Sequence, residues 1–305
     1  MIVDLMILAI RLVTPIILAS IGAMFCEKSG IMNLGIDGMM LAGAFVAMLG
    51  SYYFENAWFG VFLGILAGVA VGFIHAVITV EFGGNQTISG LGINLFVTGI
   101  TGFLIRAIFN TTISPTVASV QRTDILAGIP VIGTKLAQIS PITYITFLLI
   151  PVVWYVMGKT IFGLRVDAVG DDPKTIETAG VIPWNYRYLC ILICGALAGL
   201  GGSYLSIGQM NRFSIDMTAG RGMIALVAVK MGKWKALGIL GATLFFGVFD
   251  ALQVQMQINN VLSLPTDIIQ TIPYVCAFIM LVMVPNQNIA PKAMGTPYVK
   301  NKYKI

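Results

Sequence analysis

The side chains best placed to do chemistry are polar groups stranded in apolar sequence: Asn33, Asp37, Asn94, Arg221 and Asp250. Strongly polar groups inside membrane-spanning stretches are costly and are functional candidates by default. Their amides and carboxylates could exchange hydrogen bonds with a passing solute. Interhelical packing uses the same groups, and both roles stay open for each of these residues. Catalysis finds no support. No carboxylate pair, no nucleophile beside a base and no metal-ligand spacing occurs, and His75 is the lone histidine. Cys26, Cys190, Cys194 and Cys276 fall in or beside apolar runs, where a thiol behaves as a small hydrophobe, so neither a disulfide framework nor a zinc site is expected. A phosphate-binding loop is missing as well. Gly158-Lys159-Thr160 comes nearest, but Val153 stands where that motif needs its first glycine.

A second feature is the polar segment from Gly158 to Arg187, which carries eight charged residues in thirty positions of a chain where only 10% are charged. Asp171-Asp172-Pro173 followed by Lys174 to Ala179 predicts a short helix with an acidic cap and proline in its first turn. A capped helix between two apolar spans can serve as a rigid handle.

The elements that hold these residues must be membrane helices. With 57% hydrophobic residues and a mean hydropathy of +0.90, 305 residues far exceed the apolar content of a soluble core. The composition predicts an all-α integral membrane protein, a single domain over 1–305. A helix needs about 20 apolar residues to cross roughly 30 Å. About nine spans (eight to ten) are predicted, at 5–25, 31–53, 57–81, 87–109, 141–158, 186–208, 215–231, 235–256 and 267–285. Asn33 and Asp37 then lie four apart on one face of the second span. The first span has no small-residue cleavage site after it, which argues against a removable signal peptide.

Basic residues set the orientation. Lys159, Arg165, Lys174 and Arg187 flank one loop, Lys230, Lys233 and Lys235 another, and Lys292, Lys300, Lys302 and Lys304 the tail. Placing all three in the cytoplasm follows the positive-inside rule, and makes the net charge of +5 a membrane signal, with no nucleic-acid partner needed. The chain must then cross twice between the first two clusters, so 215–231 returns as a short or broken helix. Counting back puts the N-terminus outside, the segment 159–187 inside and the C-terminus inside. Gly38-Met39-Met40-Leu41-Ala42 can be laid on Gly222-Met223-Ile224-Ala225-Leu226, and Gly72 to Ala76 on Gly247 to Ala251. Copies five spans apart run in opposite directions, as in the inverted repeats of transporters.

Ser29 to Phe45, Arg165 to Val181, and Gly220 to Leu226 with Gly232-Lys233-Trp234 resemble the permease subunits of binding-protein-dependent ABC importers for branched-chain amino acids, ribose and nucleosides. The wording of Ile31 to Phe45, Asn85 to Gly90 and the length are most similar to the smaller nucleoside permease subunit. The resemblance implies a multi-pass subunit in the cell membrane of a bacterium, paired with a second homologous permease. It implies a separate ABC ATPase that binds ATP and magnesium, with no cofactor on this chain, and a lipid-anchored or periplasmic substrate-binding protein. It also implies that Arg165 to Gly180, with Arg165, Gly170, Asp171, Asp172, Pro173, Lys174, Ala179 and Gly180, couples to the ATPase. The cargo would be a nucleoside, with ribose, another sugar or a branched-chain amino acid as the alternative. Asn33, Asp37, Asn94, Arg221 and Asp250 suit a neutral, hydroxyl-rich cargo by type. An ion-coupled secondary transporter would use the repeat and the intramembrane carboxylates equally well.

Overall fold

The computed structural model describes residues 2–120, 139–258, 271–283 and 290–298, together with Ile269. Lys300, Lys302 and Lys304 of the basic tail lie outside the described residues. The apolar runs fold into α1 (Ile2–Lys28), α2 (Ile36–Phe54), α3 (Ala57–Ala76), α4 (Gln86–Phe109), α5 (Pro141–Lys159), α6 (Ile161–Asp171), α7 (Pro173–Thr178), α8 (Pro183–Ser203), α9 (Arg221–Met231), α10 (Ala236–Ile258) and α11 (Ile272–Met283). Helix α3 continues as a π turn over Val77–Glu81, and α8 as another over Tyr204–Gln209. Among the described residues, seven helices are long and apolar enough to cross a membrane: α1 to α5, α8 and α10. The shorter α9 and α11 complete nine apolar segments among the described residues, so the chain is an all-α membrane protein.

The centre of the bundle is α1, α2, α3 and α8. Small residues let these helices touch backbone to backbone, as membrane packing favours. Gly64 and Gly68 of α3 face Gly195 and Gly199 of α8, and a Cβ on Gly68 would stand 2.2 Å from the Gly195 carbonyl oxygen. Met39 and Met40 are fully buried and fill this core. Helices α9 and α10 close over α1 from the other side.

The second predicted span is shorter than expected. Residues 29–35 are irregular, and α2 begins only at Ile36. Asn33 and Asp37 therefore do not share a helix face. The seventh span is a half-helix, as the charge placement requires. Residues 210–220 are irregular, and the eleven residues of α9 rise only about 16 Å.

All the described basic clusters gather at one end of the bundle. There Lys28 pairs with Asp167, Ala293 of the tail donates to the Gly170 carbonyl, and Lys233 and Lys235 line a cleft with Lys28. At the opposite end, residues 114–120 bond to 207–213 through Ser114 to Phe213, Val117 to Asn211 and Val120 to Ile207.

Candidate functional site

Two helix starts meet inside the bundle. Helix α2 starts after an irregular stretch that enters from the basic end, and α9 after one that enters from the opposite end. The two helices run in opposite directions, and their opening residues are the stretches that align in the sequence, Gly38–Ala42 and Gly222–Leu226. From the basic end, Asn94 is eight residues into α4 and Gly222 nine residues from the end of α9, each about 12–14 Å deep. That is close to the middle of a roughly 30 Å hydrocarbon layer.

A helix start at that depth leaves amides that need acceptors from within the bundle. Side chains from other elements supply the acceptors. Asp37 Oδ1 accepts from the Gly222 amide at 2.9 Å, and Oδ2 from the Thr218 hydroxyl at 3.0 Å. The carboxylate of α2 thus caps α9 at its positive end. Asn94 does the equivalent for α2: its Oδ1 accepts from the Gly38 amide at 2.7 Å and its Nδ2 donates to the Leu34 carbonyl at 2.8 Å. The approach is close enough to demand glycine. A Cβ on Gly222 would stand 2.5 Å from the Asp37 nitrogen.

Arg221, beside Gly222, folds back and donates from Nη1 to the Met217 and Thr218 carbonyls. Across from it stands Asp250 of α10. The two line a cleft of about 240 Å³ with Leu12, Ala219, Ile224 and Gln253. Asp37, Asn94, Arg221 and Asp250 are all partly exposed. Asn33 is different. It is fully buried, its Oδ1 accepts from the Gly35 amide at 2.9 Å, and its Nδ2 faces the sulfurs of Met39 and Cys194 at 3.5 Å. His75 is also buried, with Nδ1 2.9 Å from the Ser89 hydroxyl.

The polar segment folds as two helices, α6 and α7. Asp172 is the N-cap of α7, Pro173 its first residue, and Asp172 Oδ1 accepts from the amides of Lys174 and Thr175. The Thr175 hydroxyl donates to Asp172 Oδ2 at 2.6 Å. That bond first, then the Thr175 amide, holds the Asp172 carboxyl below the usual carboxylate range. Gly180, at φ +81°, closes α7 with bonds from its amide to Glu177 and from Val181 to Ile176, a Schellman ending. Arg165 lies on α6 and donates from Nη1 to the Tyr186 hydroxyl at 2.9 Å.

This two-helix platform is bolted to α1. Lys28 at the end of α1 pairs with Asp167 at 2.8 Å, and a Cβ on Gly170 would stand 2.0 Å from the Lys28 carbonyl oxygen. The tail lies across the joint. Ala293 donates to the Gly170 carbonyl at 2.9 Å and Gly295 to the Gly30 carbonyl at 3.2 Å. Tyr298 donates to Glu177 Oε2, stacks on Trp184 with ring centroids 5.3 Å apart, and lies 5.8 Å from the guanidinium carbon of the buried Arg187. Burial, then the Glu177 carboxylate, pushes the Tyr298 hydroxyl up to about 12. Trp234 closes the other flank by donating to Glu27 Oε2 at 2.6 Å.

Thr218, Lys28, Asp167, Glu27 and the tail residues were not singled out by sequence. Their partners stand more than a hundred residues away, and local pattern carries no signal of that. Gly170 was singled out as part of a docking segment, and its seat on Lys28 adds a packing reason.

Residues 5–285 match a family model described as the branched-chain amino acid transport system permease component. The chain belongs to this permease family. It is 33% identical over 300 residues to the nucleoside ABC transporter permease protein NupC of Lactococcus lactis, covering 95% of this chain and 94% of that one. It is 33% identical over 304 residues to the guanosine ABC transporter permease protein NupQ of Bacillus subtilis, covering 94% of each. It is also 33% identical over 250 residues to a putative glucose ABC transporter permease protein, TsgC13, of Haloferax volcanii, covering 81% of this chain and 76% of that one. No solved structure matches the chain. The permease subunit is thus a multi-pass membrane component of a transport system, as the three sequence stretches indicated.

Proposed function

We propose that this permease subunit imports nucleosides, driven by a separate ABC ATPase. The observation that carries the reading is the near full-length identity to two permeases named for a nucleoside and for guanosine. The chemistry agrees. A nucleoside is neutral and rich in hydroxyl and amide groups, and the partly exposed Asp37, Asn94, Arg221 and Asp250 offer matched donors and acceptors at mid-depth. Asn33 then acts by holding the irregular entry to α2 instead of touching cargo.

In this reading the basic end faces the cytoplasm and carries the C-terminus, following the positive-inside rule. The α6–α7 platform, from Arg165 through Gly170 and Asp171–Lys174 to Ala179 and Gly180, is the surface on which the ATPase docks. ATP and magnesium belong to that partner. The half-open polar cleft at Arg221 and Asp250 is covered by a second, homologous permease, and an extracytoplasmic binding protein delivers the cargo. Two short capped helices seated on the end of α1 pass on a partner's movement as a rigid body, where an unstructured loop would absorb it.

The test is uptake by the complex reconstituted with its ATPase, second permease and binding protein. Labelled guanosine should accumulate only with hydrolysable ATP, compete with other purine nucleosides, and be indifferent to an ionophore. Uptake that continues without hydrolysis, or collapses with an ionophore while ATP stays high, refutes the ATP-driven reading. The relative named for glucose supports a second reading, a sugar cargo. Competition by glucose or ribose but not by guanosine would decide for it.

A further inference from the structure

A cleft of about 500 Å³ lies off the proposed solute route, at the basic end, between the end of α1, the end of α5 and the start of α10. Met24, Trp154, Met157, Leu164, Ala236 and Leu237 make its wall apolar. Trp154, Leu164 and Leu237 are 47%, 69% and 59% exposed, so the groove is open sideways. Trp154 stands five residues before the end of α5, so the groove reaches about 7–8 Å along the helix from that end. A groove that is apolar and open along the helices suits an acyl chain lying beside them.

The mouth of the groove is polar. A second cleft of about 210 Å³ continues from it and shares Lys28, Asp167, Trp234 and Lys235, adding Lys233, Asp171 and Pro291. Around the mouth, Lys28, Lys233 and Lys235 face Asp167 and Asp171, a surplus of one positive charge. Lys28 is committed to Asp167, while Lys235 makes no ion pair among the described residues and is exposed. One phosphodiester carries one negative charge and balances that surplus. A tryptophan at the mouth, Trp234, and lysines beside an apolar groove between helices are the composition by which membrane proteins hold anionic lipid.

We infer that this groove binds one anionic phospholipid, its acyl chain against Trp154, Met157 and Leu237 and its phosphate on Lys235. The bound lipid sits against α6 through Leu164 and Asp167, so it braces the platform from the membrane side. The sidedness is that of the positive-inside reading, while the binding itself does not depend on which cargo is carried.

The experiment is native mass spectrometry of the purified complex titrated with phosphatidylglycerol or phosphatidylcholine, each in detergent. The protein should retain phosphatidylglycerol about fivefold better, the preference one lysine gives near an anionic headgroup. Lys235→Ala should reduce that preference to parity. Gly158→Leu should abolish retention of both lipids: Gly158 lines the groove, and a Cβ there meets nothing within 4 Å, so the substitution is admitted by the backbone and narrows the groove. Equal retention of the two lipids by the unaltered protein overturns the proposal. So does unchanged retention in either variant, and either variant alone suffices. Guanosine uptake is not the readout, so failure here is distinct from failure of the cargo reading.

Discussion

Replacing Asp37 by alanine should loosen α9 from the centre of the bundle. The Asp37 carboxylate accepts from the Gly222 amide at 2.9 Å and the Thr218 hydroxyl at 3.0 Å. Alanine orphans both groups, at about 1–3 kcal/mol for each buried donor. It also removes a negative charge from a helix N-terminus, worth about 0.3–1 kcal/mol. The Thr218 hydroxyl can turn to a nearby carbonyl, so a net loss of about 2–4 kcal/mol remains, roughly 30- to 1000-fold in the unfolding constant. Asparagine is the informative control. Its carbonyl oxygen can still accept from Gly222 and its amide can donate to the threonine oxygen, so the loss shrinks to the charge contribution, about 1 kcal/mol. Cys26, Cys190 and Cys194 are free and buried, so a thiol-reactive dye reports thermal unfolding in detergent without further labelling. The expected order of stability is the unaltered protein, then Asp37→Asn, then Asp37→Ala. An alanine variant as stable as the unaltered protein, or an asparagine variant less stable than alanine, would refute the capping argument.

The platform yields two further predictions. Gly170→Ala sets a methyl 2.0 Å from the Lys28 carbonyl oxygen, backbone against side chain with no flexible atom to yield. Overpacking of this kind costs about 1–3 kcal/mol; parallel measurement of uptake and hydrolysis should show transport falling per ATP hydrolysed, and an unchanged ratio would remove the seat from coupling. The Asp172 cap has a defined pH window. Its carboxyl is held below the usual range when folded, so its contribution is complete above that range and is lost only as pH falls through the lowered value. Amide exchange at Lys174 and Thr175, corrected for intrinsic rates, should therefore show constant protection across neutral pH. It should rise in the acid range, and at every pH in Asp172→Ala; protection that already falls between neutral and mildly acidic pH would contradict this.

Much of this architecture was legible in the chain because membranes make local pattern decisive. Apolar runs located the spans, and the short or broken helix expected within 215–231 is there as α9. Asp172 and Pro173, with Lys174 to Ala179 behind them, announced α7 by chemistry confined to a few neighbouring positions. What could not be read was tertiary. Asn33 and Asp37 looked like one helix face because the apolar residues around them run on into α2, and the side chains that hold the break open are distant: the amides of Met32 and Gly38 are satisfied by Gln86 and Asn94, from a helix fifty residues on. Asn94 was visible as a polar residue in an apolar run, but the Gly38 amide it serves exists as an orphan only once α2 is known to start late. The tail is a similar case. Its bonds to Gly170 and Gly30 run from backbone to backbone, so no side-chain motif could point to them.

A short stretch, residues 28–37, joins the platform to the crossed helix starts and gives force one direct route between them. Gly170 rests on the carbonyl of Lys28, the last residue of α1. Nine residues later Asp37 holds the start of α9; between them the chain is pinned at Met32 by Gln86 and at Leu34 by Asn94, which also holds Gly38 just beyond. A displacement of α6 must either break the Lys28–Asp167 pair and the Gly170 seat or carry residues 28–37 with it. In the second case the Asp37 cap moves with its own helix, and α9, whose amide at Gly222 has no other acceptor within the described residues, must follow or lose its cap. Because packed interfaces switch between discrete arrangements and do not deform smoothly, the irregular stretch before α2 works as a short tether and not as slack. Its sealing residue is Asn33, buried among sulfur atoms that tolerate small shifts better than a rigid hydrogen-bond network would.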